Sequence, residues 1–88
     1  MNSDKNGYNG WSNRETWCVS LWFTNDEKTY YAVRELAREA KDSYAASQAI
    51  REYVEAFNPL ADKTNLFSDL LSTALAAVDW LEVAESIL

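Results

Sequence analysis

The chain has 88 residues, enough for one compact core and too few for two ordinary domains. Hydrophobic residues make up 48% and aromatics 14%, with two glycines and one proline, a composition that packs instead of staying disordered. A net charge of −6 argues against a conventional nucleic-acid binder, because phosphates attract Lys and Arg, and makes a basic protein surface the natural electrostatic partner.

Cys18 is the single cysteine and closes no internal disulfide, so a reducing cytoplasm is the expected setting. Residues 1–10 are polar and rich in turn formers, without the apolar core of a signal peptide, and read as a flexible lead-in to one helical domain over 11–88. No stretch approaches the ~20 apolar residues that cross a bilayer, so neither export nor membrane insertion is expected.

The periodicity predicts an all-α fold, a compact bundle of about five short helices. Ser12 and Glu15 fit a capping box, which starts helix 1 near Asn13. Its pairs Trp17/Leu21, Cys18/Trp22 and Val19/Phe23 are spaced for an apolar face, with Cys18 a buried small hydrophobe. Thr24 or Asn25 can cap helix 2, in which Tyr30, Val33, Leu36, Ala37 and Ala40 follow a helical period. On its wet side Glu35/Arg38 and Arg38/Asp42 can pair.

Asp42 or Ser43 can cap helix 3, whose stripe Ala46, Ile50, Tyr53 and Phe57 opposes a polar stripe of Gln48, Glu52 and Glu55, until Asn58-Pro59 stops it. Helix 4 starts at Thr64 or Asn65. Its broad apolar face, Leu66, Phe67, Leu70, Leu71, Ala74, Leu75 and Val78, predicts the central core helix. Asp79 and Glu82 repeat the capping geometry and open a short helix 5 that buries Trp80, Ala84 and Ile87.

Catalysis is not expected. The chain has no histidine, so the usual general base is missing and Cys18 lacks an imidazole partner. Neither a zinc site, a calcium loop nor a glycine-rich phosphate loop can be assembled, and no cofactor is expected. What remains is binding. Residues 64–88 carry Asp69, Asp79, Glu82 and Glu85 with no Lys or Arg, which makes these four, with Glu52 and Glu55, the candidate acidic contacts. Among the aromatics of the first 23 residues, most are expected in the core, with Trp11 and Tyr8 the candidates for exposed anchors.

The run Tyr8-Asn9-Gly10-Trp11-Ser12-Asn13-Arg14-Glu15-Thr16-Trp17, with Ser20-Leu21-Trp22 and Asn25-Asp26-Glu27, resembles a family of small prokaryotic, phage and plasmid proteins that carry an Asn-Tyr-Glu-Thr-Trp signature. Val78-Asp79-Trp80 and Val83-Ala84-Glu85 resemble the same family's Val-Asp-Trp and Ile-Ala-Glu endings. Arg14 departs from the pattern, where the family has tyrosine. The resemblance brings no catalytic residue. It implies a mobile-element setting, in which a small acidic protein is expected to inhibit a host defence complex, of the anti-CRISPR type, by occupying a basic nucleic-acid-binding surface on a protein such as a CRISPR effector. The alternative expectation is a structural or regulatory adaptor, or homodimer, that docks through an aromatic surface.

Overall fold

The computed structural model describes residues 10–88, so the expected lead-in over residues 1–10 and the candidate anchor Tyr8 lie, Gly10 apart, outside the described residues. Five α-helices and no strand occur in the described part: α1 (Arg14–Asn25), α2 (Glu27–Glu39), α3 (Ser43–Ala56), α4 (Leu66–Ala77) and α5 (Trp80–Ile87). None is long and apolar enough to cross a membrane.

Short polar side chains set the helix starts. Asn13, Asp42, Asn65 and Asp79 each accept the N–H of the residue three positions on, satisfying a donor that the helix itself leaves free. Asn65 and Ser68 form a reciprocal capping box. The expected Ser12/Glu15 box does not form: Asn13 takes the cap, because Ser12 is drawn to Glu82 across the fold. Helix α2 begins after Asp26, one residue past the expected Thr24 or Asn25, since α1 runs on through Asn25. There the Thr24 hydroxyl donates to the carbonyls of Ser20 and Leu21.

The core is built around α3, which packs on α5 and α2, while α1 packs on α2, α5 and α4. Val33, Ile50 and Val83 are fully buried, joined by Phe23, Ala37, Ala46, Val78, Trp80 and Ala84. Trp80 also anchors α5 by donating its indole N–H to the Leu75 carbonyl at 3.3 Å. A helix of eight residues is marginal alone, so its insertion into this core is what holds α5.

Helix α4 is not the core helix. Among the helices it packs only on α1, and the residue it buries is Ser68. Its apolar arc covers about half the helix circumference, more than one neighbour can cover. Leu71, Ala74 and Leu75 are half-buried, but Leu66, Phe67 and Leu70 stand in solvent.

Helix α1 is rotated from its expected face. Its buried residues are Thr16, Ser20 and Phe23, so Val19 is only half-buried and Cys18 and Trp22 are exposed. Trp11, the expected exposed tryptophan, is half-buried instead. Phe57 at the end of α3 is exposed, because the stripe there runs past the neighbouring helices, although its ring meets Tyr53 edge-on at 5.1 Å. The expected Glu35/Arg38 and Arg38/Asp42 pairs do not form. Exposed pairs gain too little to fix two long side chains, and the ion pair among the described residues is Arg51–Glu55 at 3.1 Å.

The position of Cys18 reverses an expected behaviour. Its thiol should react with a maleimide in the native protein within a few-fold of the rate in denaturant, because access to the sulfur is open. Slow native labelling followed by a large acceleration on unfolding would contradict the rotated α1.

Candidate functional site: a hydrogen-bonded clasp and an open apolar face

The two segments that carry the resemblance meet in space. Thr16 is fully buried, and its Oγ1 accepts the Asp79 N–H at 2.8 Å while donating to Asn13 Oδ1 at 2.6 Å. The same Asn13 oxygen accepts the Thr16 N–H at 2.8 Å, and its Nδ2 donates to the Ala77 carbonyl at 2.7 Å. Beside them the Ser12 hydroxyl and its N–H, the latter at 3.2 Å, both donate to Glu82 Oε1. Five residues of this clasp, Ser12, Asn13, Thr16, Asp79 and Glu82, thus tie the start of α1 to the start of α5. The chemistry on view is hydrogen bonding between short polar side chains and backbone ends.

The candidate acidic residues are spread over the surface. Asp79 caps α5 by accepting the Glu82 N–H at 3.0 Å, and the half-buried Glu82 carboxylate receives Ser12. Glu85 and Glu52 are exposed. Asp69 stands in the first turn of α4, a helix that does not pack on α5, so it does not join Glu82 and Glu85 in one array. It lines a polar cleft of about 440 Å³ between α3 and α4 with Glu55, Arg51 and Lys63, where two cations offset the two acids. Trp11 walls a separate crevice of about 260 Å³ with Trp17, Leu21 and Ile87. No group of His, Cys, Asp and Glu among the described residues has the arrangement of a metal site.

Sequence reasoning missed an open apolar feature, the face shared by α1 and α4. Between these helices lies a crevice of about 290 Å³ lined by Cys18, Val19, Leu71, Ala74 and Leu75. One turn beyond Cys18 on the same side of α1 stands Trp22, 69% exposed, and one turn before Leu71 stands Phe67, 66% exposed, beside Leu66 and Leu70 at 66% and 58%. Isolated exposed apolar residues are ordinary on a surface; a helix face of them continuous with an apolar crevice is not. The available signal was the width of the α4 apolar arc.

No curated protein and no solved structure matches this chain. A family model, described as a family of unknown function (DUF7249), matches residues 4–87, which takes in the clasp, the α1/α4 face and every candidate acidic residue. The chain belongs to this family, DUF7249.

Proposed function

We propose that the protein is a non-catalytic binding module, an adaptor that docks a protein partner through the apolar face of α1 and α4. The observation that carries this reading is the exposure of Leu66, Phe67, Leu70 and Trp22 on the two helices that line the apolar crevice. Large side chains of this kind supply most of the energy in protein interfaces when a partner covers them. Replacing Leu70 with the photo-crosslinking residue p-benzoylphenylalanine in cells tests it. Protein adducts are expected at Leu70 and not at Glu35, an exposed site on α2. The absence of any adduct at Leu70 would overturn the reading.

A second reading is favoured by the charge pattern: inhibition of a host defence complex, of the anti-CRISPR type, by a phage or mobile-element protein acting in the host cytoplasm. Residues 64–88 hold four carboxylates and no cation, and Asp69, Asp79 and Glu85 are exposed, which suits competition for a basic nucleic-acid-binding surface. Asp69→Asn with Glu85→Gln is the cleanest probe, since neither residue caps a helix and stability should move by less than about 0.5 kcal/mol. This reading expects weaker binding to an effector complex and a shallower salt dependence. An unchanged affinity and salt dependence would remove it, whereas an apolar contact is little affected by either charge or salt.

A further inference from the structure

We infer that the partner of the α4 face is a second copy of this chain, paired through α4 against α4 in antiparallel fashion; the inference rests on the docking reading above. Three observations lead to it. The first is the taper of the helix. Along one side of α4 the spacing brings Leu66, Phe67 and Leu70 at its start into line with Ala74 and Ala77 at its end. A two-fold axis across the middle of the helix sets Leu66 against the partner's Ala77, and Leu70 against the partner's Thr73 and Ala74. Large side chains then fall opposite small ones at both ends, the arrangement that lets helices interdigitate. An isologous contact requires such self-complementarity, and a helix with large residues at both ends would lack it.

Charge is the second observation. A chain of net charge −6 resists meeting itself, yet α4 carries a single charge, Asp69, on the flank of Ser72 and Ala76 and one turn from Leu66 and Thr73, at the edge of the contact. The contact therefore brings no carboxylate onto its axis. Area is the third. Leu66, Phe67, Leu70 and Trp22 are each more than half exposed and offer on the order of 100 Å² apiece. The sum, about 400 Å², is half the ~800 Å² per partner of a standard interface, which suits a weak dimer that fills only at high concentration.

Sedimentation equilibrium of the full chain over a wide concentration range tests the inference. The weight-average mass is expected to rise to twice that of the chain. Leu70→Asp should hold it at the monomer value with an unchanged helical circular dichroism spectrum, because Leu70 is not a core residue. Orientation is read by oxidation in a Cys18→Ser background, where Leu66→Cys with Ala77→Cys should give a covalent dimer and Leu66→Cys alone should not. Monomer mass at every concentration, dimers that survive Leu70→Asp, or covalent dimers from Leu66→Cys alone would each overturn it. A monomeric chain that still forms adducts to other proteins at Leu70 ends this inference and leaves the docking reading standing. Absence of adducts of any kind ends both.

Discussion

Thr16→Val is expected to destabilise the fold by about 2–3 kcal/mol although it preserves side-chain volume. The hydroxyl it removes is fully buried, accepts the Asp79 N–H at 2.8 Å and donates to Asn13 at 2.6 Å. Valine leaves both partners facing a methyl group, and a buried donor left without an acceptor costs about 1–3 kcal/mol. For a chain of this length, that lowers the thermal midpoint by roughly 10 °C or more. Thr16→Ser keeps the hydroxyl and loses one methyl group, so it should cost about 1 kcal/mol. Equal losses in the two variants would assign Thr16 to packing and not to the clasp. Asn13→Ala removes the α1 cap and the bond to the Ala77 carbonyl, and a double-mutant cycle with Thr16→Val should show coupling of about 1 kcal/mol, because the two side chains share one hydrogen bond.

The clasp changes what the resemblance says about chemistry. Asn13, Thr16 and Asp79 stand in the segments that carry it, and all three are engaged in holding α1 to α5. Their bonds join residues more than 60 positions apart in sequence, which closes the bundle around Trp80 and Val83. Variants of these residues should lose binding only in proportion to the fraction unfolded. A folded variant that had lost partner binding would show that the clasp also makes contact.

The number and order of the helices were legible because the caps and breakers are local. Asp42, Asn65 and Asp79 each bond a backbone N–H three residues on, and Asn58-Pro59 stands just past the end of α3, so a short window of sequence contains both halves of each signal. Which face turns inward was legible only where hydrophobicity and burial coincide, as at Val33 and Ala37 in α2. In α1 they part company. The buried positions Thr16 and Ser20 are hydroxyl residues, the first satisfied by a partner 63 positions away and the second without a hydrogen-bond partner among the described residues, so a hydropathy pattern points to the opposite side of the helix. Ser68 in α4 and Ser47 in α3 are buried in the same way, each hydroxyl returning to a nearby carbonyl. The place of Asp69 relative to Asp79, Glu82 and Glu85 on α5 was not legible for a related reason. Distance between Asp69 and Glu85 depends on how α4 and α5 pack, and no local rule encodes that.

The core assignment makes the sharpest demand on stability, because it reverses the ranking that hydrophobicity alone implies. Ile50→Ala should cost about 3–4 kcal/mol, whereas Leu70→Ala should cost less than about 1 kcal/mol. Ile50 is fully buried on α3, the helix that packs on both α2 and α5, so truncation leaves a void lined on several sides that the surrounding helices fill only partly. Leu70 is 58% exposed on a helix with one helical neighbour, and its truncation opens no cavity. The measurement is chemical denaturation at a protein concentration low enough to keep self-association out of the comparison, since a dimer would lend Leu70 stability through mass action. Repeating it at high concentration gives a second readout. Ile50→Ala should show about the same loss at both concentrations, while the cost of Leu70→Ala should grow as the interface fills. A large loss at Leu70 in dilute protein, with a small one at Ile50, would move the core to α4 and close the face on which the docking reading depends.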